Sequence, residues 1–146
     1  ASLKDPLHRA RNLNETNLKR IRSTPHDGGN SSSWSRDLVL KCHKAKTGKT
    51  YRNTVYGRMR WDEPSPTMTT HCTGIGNGRF GHPEQDRAIS LREAALFQTF
   101  PKSYKFVENE GSLAMKQVSK FIGNAVPIRL GSVIGKSIKQ HVQSHV

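Results

Sequence analysis

The sequence predicts an α+β fold in which a small, twisted, mainly antiparallel sheet precedes a group of C-terminal helices. Three observations support this prediction. The middle of the 146-residue chain holds three short segments typical of strands. The last third changes to the spacing of apolar residues expected of helices. A glycine-rich loop over residues 74–83 separates the two regions.

The first predicted element is a short helix over residues 13–22. Asn12 or Asn14 is suited to be its N-cap, because an Asn side chain can accept a hydrogen bond from the first helical turn. Pro25 and the Gly/Ser-rich run at 28–33 then predict a flexible loop.

The predicted strands cover residues 37–42, 51–60 and 67–72. A turn rich in proline and acidic residues, at 62–66, separates the last two strands. Residues 43–50 form a basic, turn-like segment between the first two.

The first predicted helix of the last third begins with a capping box. Ser90 and Glu93 are spaced to satisfy each other's backbone N–H groups. The helix continues through Gln98, and the Phe100-Pro101 dipeptide ends it.

Two further helices are predicted behind it. The first covers residues 113–121 and ends before a turn at Gly123-Asn124. Pro127 suits the first position of the last helix. Apolar residues recur there every four positions and predict a stripe that another surface must cover: Leu130, Ile134, Ile138 and Val142.

Charge is unevenly distributed along the chain. The net charge is +13, and residues 1–60 carry 14 Lys and Arg against 4 Asp and Glu. That region also contains only 9 of the 30 Leu, Ile, Val and Phe residues, so it is basic and poor in core-forming residues. Such a charge favours a polyanionic partner, most simply nucleic acid.

Composition also excludes several classes of protein. No stretch has the roughly 18 consecutive apolar residues of a membrane span, and no secretory signal is expected. Two cysteines, Cys42 and Cys72, form no disulfide framework and indicate a reducing compartment.

Three apparent motifs lack the context that their chemistry needs. Residues 47–50 resemble the end of a P-loop, but His43 stands where the first glycine is required. The glycines at 74–78 do not open a helix, which argues against dinucleotide binding. Cys and His are adjacent at 42–43 and at 71–72, a spacing unsuited to one tetrahedral zinc site.

Four segments in order carry a resemblance to a known family. They are YGRMRWDEPSPTMTT (56–70), GRFGHP (78–83), LREAALFQTFPKSY (91–104) and IGNAVP (122–127). Together they resemble the C-terminal part of the cytosine-C5 DNA methyltransferases over residues 55–135. Residues 92–101 look like the ninth conserved motif of that family, and residues 123–127 look like the tenth.

The resemblance implies a reaction whose catalytic residues this sequence lacks. In the family a cysteine thiolate attacks C6 of a flipped cytosine, and C5 then takes a methyl group from S-adenosylmethionine. The nucleophile belongs to a Pro-Cys dipeptide, whereas Cys42 follows Lys41 and Cys72 follows His71. The glycine-rich cofactor loop, the Glu-Asn-Val and the Gln-x-Arg-x-Arg segments are also missing. We therefore expect no catalytic residue here and no activity without a chain that carries these motifs.

The resemblance also assigns binding roles. Asn124 and Val126 would line the S-adenosylmethionine pocket, with Gly123 and Ala125 contributing backbone groups. The family often has Ser where Ala125 stands, so a hydroxyl contact is lost. Arginine and threonine side chains suit phosphate, sugar and base-edge contacts. The candidate DNA contacts are Arg58, Arg60, Thr67, Thr69, Thr70 and Arg79.

The expected organisation follows from these assignments. Residues 1–33 form a basic N-terminal segment, residues 34–110 the target-recognition domain, and residues 111–146 helices that complete the α/β methyltransferase domain of a partner. The expected partners are a larger catalytic chain, which shares S-adenosylmethionine, and double-stranded DNA. No metal or membrane is expected. A bacterial restriction-modification system, cytoplasmic and associated with the nucleoid through DNA, would be its setting.

Two other hypotheses remain open. The chain is also compatible with a non-enzymatic, basic DNA-binding module, which its charge asymmetry supports. One branch of the family uses the same framework on RNA, so a subunit of a tRNA cytosine-C5 methyltransferase is the third hypothesis.

Overall fold

The computed structural model describes residues 5–44, 55–106 and 114–145. Within them, two 3-10 helices occur at Ser31–Ser33 and Ile75–Asn77. None of the described helices is long and apolar enough to cross a membrane. The α-helices are α1 (Glu15–Arg22), α2 (Lys41–Lys44), α3 (Leu91–Phe97), α4 (Met115–Asn124) and α5 (Ile128–Ser144).

The helix starts predicted from capping residues are confirmed. The Asn14 side chain accepts a hydrogen bond from the backbone N–H of Asn17 at the start of α1. At α3 the Ser90 hydroxyl accepts from the Glu93 N–H, and the Glu93 carboxylate accepts from the Ser90 N–H. The helix ends at Phe97, with Gln98 as its C-cap.

The two C-terminal helices also occur, with shifted ends. Helix α4 continues through Gly123 and Asn124, where the sequence predicted a turn. The turn lies one residue later, at Ala125, and Pro127 is the N-cap of α5 rather than its first residue. The predicted start of the first of these helices, at residue 113, lies outside the described residues.

The predicted α+β fold with its antiparallel sheet is wrong. In the described part of the chain no β-strand forms, and regular structure is almost entirely helical. The extended backbone pairs at single residues only, where Arg58 bridges to Gly81 and Gly81 bridges to Ala88. Residues 45–54, which include part of the predicted middle strand and the P-loop-like segment, lie outside the description.

Local hydrogen bonds explain why two strand candidates fail. At the first, the Leu38 N–H donates to the Ser35 carbonyl, and the chain enters α2 at Lys41. At the third, the Cys72 N–H donates to the Thr69 carbonyl. These backbone groups close turns and are therefore unavailable for a ladder between strands.

The main apolar core joins distant parts of the chain. Leu7 packs in the same cluster as Leu91 of α3 and Val118 and Ile122 of α4. The Leu7 carbonyl also accepts a hydrogen bond from the Arg92 N–H. Residues from all three regions predicted in the sequence, 1–33, 34–110 and 111–146, therefore share one core.

Helix α5 stands apart from that core. None of its 17 residues is buried. Its apolar side chains remain between 44% and 63% exposed: Ile128, Leu130, Val133, Ile134, Ile138 and Val142. The predicted apolar stripe is thus present, and the described part of this chain leaves it uncovered.

Candidate functional site

Arg58 is fully buried at the centre of a polar network. Its guanidinium makes five hydrogen bonds, which matches the number of N–H donors that an arginine side chain has. Four acceptors are backbone carbonyls and one is a carboxylate. They are the oxygens of Thr24 (3.0 Å), His82 (2.9 Å), Gln85 (2.6 Å) and Ile21 (2.8 Å), and Oδ1 of Asp86 (2.6 Å).

These contacts leave Arg58 no donor for a DNA phosphate or base edge. Its carbonyl partners come from the end of α1 and from the loop that follows Gly81. The described geometry therefore corrects the expected role of Arg58. It holds the end of α1 and the loop at 82–86 together.

The other two arginines lie beside the Gly28-Gly29 loop. Arg79 is half-buried and donates to the carbonyls of Gly28 (3.2 Å) and Arg58 (3.4 Å). Arg60 is exposed, its side chain passes close to Gly28, and it pairs with Glu63 at 3.1 Å. Both remain near the surface, where long cationic side chains can rearrange to reach a phosphate.

The loop around His82 is held by a neutral imidazole. Nδ1 of His82 accepts hydrogen bonds from the N–H groups of Glu84 (3.2 Å) and Gln85 (3.1 Å). Burial lowers the pKa of His82, and the nearby charge of Arg87 lowers it further. The neutral form therefore fixes the loop whose carbonyls hold Arg58.

Glu93 anchors the start of α3. Burial raises its pKa, but the hydrogen bonds from Arg87 and from the Ser90 N–H outweigh this effect, and the pKa is lowered to about 2. Arg87 binds both carboxylate oxygens of Glu93, at 2.7 Å and 2.8 Å. The carboxylate is thus a fixed structural anion.

The candidate threonines lie against the end of α4. Thr67 and Thr69 are exposed, and Thr70 is half-buried. A Cβ on Gly123 would overlap the peptide that joins Thr69 to Thr70, so only glycine allows this close approach. Ser119 donates to the Thr70 carbonyl at 2.8 Å. The structure therefore brings the threonines together with residues 123–126, the candidate cofactor segment.

Gln98 holds the candidate cofactor segment from the other side. Its buried amide Nε2 donates to the carbonyls of Ile122 and Ala125, both at 2.9 Å. The sequence predicted Gln98 only as the last residue of a capped helix and did not indicate this role. Its acceptors lie 24 and 27 residues away, so no local pattern indicates them.

An aromatic groove borders Asn124 and Val126. It is an open groove with a volume of about 620 Å³, and Phe121 and Ile128 also line it. The rings of Phe100, Tyr104 and Phe106 also line the groove, and their centroids are 4.8–4.9 Å apart. The site thus combines aromatic faces with the amide of an exposed Asn124.

Comparison with known proteins decides the family. The model of the C-5 cytosine-specific DNA methylases matches residues 3–140. The chain belongs to this family. The resemblance seen in the sequence is therefore confirmed at the level of the family.

Its relatives include bacterial and plant enzymes. The Type II methylase M.HgiDII of Herpetosiphon aurantiacus is 57% identical over 140 residues, which is 95% of this chain and 38% of that protein. DNA (cytosine-5)-methyltransferase 3 of Arabidopsis thaliana is 35% identical over 150 residues, 91% of this chain and 10% of the relative. The chain therefore spans less than two fifths of the length of either relative.

The groove fits the cofactor that C5 DNA methyltransferases use. S-adenosylmethionine carries an adenine ring, a sulfonium cation and a polar amino-acid end. Aromatic faces suit the first two groups, and an amide suits the third. Of the four expected cofactor contacts, Asn124, Ala125 and Val126 line this groove, and Gly123 does not.

The described residues offer neither a catalytic thiol nor a metal site. Cys72 is buried, and burial raises the pKa of its thiol, which disfavours the reactive thiolate. Its Sγ lies 3.5 Å from the Ser119 hydroxyl. The side chain of Cys42 lies outside the description. Among the described residues no group of three or more His, Cys, Asp or Glu is suited to a metal ion.

Proposed function

We propose that this chain is the DNA-recognition subunit, or a C-terminal fragment, of a DNA (cytosine-5-)-methyltransferase. In this proposal residues 34–110 form the target-recognition region, and residues 111–146 dock on a larger chain. That chain supplies the catalytic cysteine and shares S-adenosylmethionine, so this chain alone is inactive. The setting is a bacterial restriction-modification system, where the protein associates with the nucleoid through DNA.

The observation that carries the proposal is the uncovered face of α5. A 17-residue helix with six exposed Ile, Leu and Val side chains is unusual for a monomer in water, because such a patch favours association. Phe121 and Val126, also exposed, extend the apolar surface towards the aromatic groove. A catalytic chain that docked there would close the groove around S-adenosylmethionine.

Each part of the site has a role in this proposal. S-adenosylmethionine supplies the methyl group when bound. Asn124 binds its polar end, and Val126 packs against it beside the aromatic rings. Gln98 and Gly123 fix the backbone between α4 and α5.

DNA binding falls to the exposed polar residues. Arg60 and Arg79 contact phosphates or guanine edges, and the threonine hydroxyls contact the sugar-phosphate backbone. Arg58 is not included because its donors are all used inside the protein. We infer the substrate to be double-stranded DNA, in which the target cytosine is flipped out.

The direct test is methyl transfer by a reconstituted enzyme. The chain is coexpressed with the companion that carries Pro-Cys and the glycine-rich cofactor loop, from the same source. Transfer of labelled methyl from S-adenosylmethionine to duplex DNA and to tRNA is measured for each chain alone and for both together. The proposal predicts transfer to DNA by the pair only.

Three results would overturn the proposal. They are methylation of DNA by this chain alone, transfer by the companion alone at the rate of the pair, and transfer by the pair to tRNA in preference to DNA. The variant Asn124→Ala tests the site itself. We expect it to weaken S-adenosylmethionine binding by the pair about tenfold, which corresponds to the loss of one or two hydrogen bonds.

A further inference from the structure

Gln98 lies at the junction between α3 and the turn that joins α4 to α5. Only 7% of the residue is exposed. Its Nε2 donates to the Ile122 carbonyl near the end of α4 and to the Ala125 carbonyl in the turn, both at 2.9 Å. Both protons of the amide group are therefore used on the same short segment, on either side of Gly123 and Asn124.

The backbone around Gln98 adds two more connections. The Ile128 N–H donates to the Gln98 carbonyl at 3.4 Å, and the Arg129 N–H donates to the Thr99 hydroxyl at 3.0 Å. Thr99 adopts a φ of 60°, which a β-branched residue rarely adopts. Tertiary contacts hold it there, at the position where its hydroxyl reaches the first turn of α5.

The turn itself has little local support. Pro127 lacks an N–H, and as the N-cap of α5 it provides no side-chain cap. The Ala125 N–H donates to the Ile122 carbonyl, which gives the turn one short-range bond. The positions of Asn124 and Val126 therefore depend on tertiary contacts, which are the bonds from Gln98 and Thr99 and the packing of Gly123 against the Thr69–Thr70 peptide.

We propose that Gln98 is a positioning residue that fixes the Gly123–Val126 turn in the conformation that receives S-adenosylmethionine. It acts through the Ile122 and Ala125 carbonyls and does not itself touch the cofactor. This inference rests on the proposed function, in which Asn124 and Val126 bind S-adenosylmethionine.

The test uses Gln98→Met in the complete enzyme, with its companion chain present. Met matches Gln in length and volume but donates no hydrogen bond, so packing is retained. Gln117→Met is the matched control, because Gln117 lies exposed on α4. The measurements are the equilibrium Kd for S-adenosylmethionine, the kcat at saturating cofactor, and thermal unfolding.

We expect Gln98→Met to raise the Kd for S-adenosylmethionine about tenfold, the effect of losing one to two hydrogen bonds. Saturating cofactor should restore kcat to within about twofold, because the residue acts on binding and does not contact the reacting atoms. Gln117→Met should change neither value. An unchanged Kd for Gln98→Met, or a fall in kcat that saturation does not restore, would overturn the inference.

Thr99→Val is the second variant, in case Gln98→Met does not fold. It keeps the β-branched shape and removes only the acceptor of the Arg129 N–H. We expect a Kd raised about threefold, as for one exposed hydrogen bond. An unchanged Kd in this variant counts against the inference.

Asn124→Ala distinguishes failure of the inference from failure of the proposed function. If it leaves S-adenosylmethionine binding unchanged, the cofactor site is wrongly assigned and the role of Gln98 falls with it. If it weakens binding while Gln98→Met and Thr99→Val do not, only the positioning role is wrong.

Discussion

Arg58 and helix α5 are opposites in chemistry and in burial. Arg58 carries a charge and is fully buried, whereas the apolar side chains of α5 are about half exposed. Arg58 has five hydrogen-bond partners within the chain, whereas the described residues bury no residue of α5. Burial here follows the availability of partners more closely than the polarity of the residue.

This difference separates a region whose polar groups are paired within the chain from a helix whose apolar face the described residues leave exposed. The acceptors of Arg58 come from α1 and from the loop after Gly81, so the network closes within one chain. Helix α5 leaves an apolar surface that water solvates poorly. We infer that the first region sets the stability of this chain and that the second sets its assembly.

The largest expected effect follows from removing the charge of Arg58. Arg58→Met removes a donor from four carbonyls and leaves Asp86 without its buried partner. The Ile21 and Gln85 carbonyls keep backbone donors, whereas no other bond is seen to the carbonyls of Thr24 and His82 among the described residues. We expect the free energy of unfolding to fall by about 4 kcal/mol, as for other broken buried networks. Urea unfolding followed by circular dichroism measures this change.

Arg60→Met is the matched control for that variant. Arg60 is exposed and its one ion pair, with Glu63, lies at the surface. Loss of this ion pair in Arg60→Met should lower the free energy of unfolding by less than about 1 kcal/mol. An equal fall in the free energy of unfolding for Arg58→Met and Arg60→Met would contradict the distinction between a buried network and a solvated charge.

A smaller effect is expected at Glu93, and it depends on pH. The folded state lowers the pKa of Glu93 to about 2, from an ordinary value of 4.5. The stabilisation is therefore present above pH 4.5 and is lost as pH falls towards 2. Glu93→Gln should lower the free energy of unfolding by about 2 kcal/mol at neutral pH. It should also make the free energy of unfolding depend less on pH between 2 and 4.5.

Unfolding of Glu93→Gln across pH 2–5 checks that prediction. Glu63→Gln is the control, because the Glu63 side chain is about half exposed. An acid dependence that is as steep in Glu93→Gln as in the parent would show that other carboxylates carry it.

The smallest expected effect on the chain alone is on α5. Ile134→Ser and Ile138→Ser remove exposed apolar groups, so each should change the free energy of unfolding by less than about 0.5 kcal/mol. Under the proposed function, the same variants should abolish binding to the proposed catalytic chain, measured by gel filtration of the mixture. Lys136→Ser, on the same helix, should leave both properties unchanged.

The helices were predictable because their signals are local. Asn14 caps a backbone N–H three residues away, and Ser90 and Glu93 satisfy each other over the same distance. The stripe on α5 repeats every four residues. Such patterns can be seen in a single sequence without knowledge of the tertiary fold.

The failure of the strand candidates was not predictable, and neither was the buried part of the site, whose contacts join residues that are distant in the sequence. The Arg58 guanidinium binds carbonyls up to 37 residues away, and Gln98 reaches Ala125 across 27. The sequence shows Arg58 only as one more basic residue in a charged region. Two segments with strand-like composition close turns here, because their backbone N–H groups donate to carbonyls three residues earlier.

Native mass spectrometry of the protein, purified from its source under gentle conditions, tests the central claim most directly. We predict that the chain is found with, or covalently continuous with, a catalytic region that carries Pro-Cys and the cofactor loop, at one copy each. A folded monomer of this chain alone, with the stripe on α5 exposed to solvent, would contradict the account.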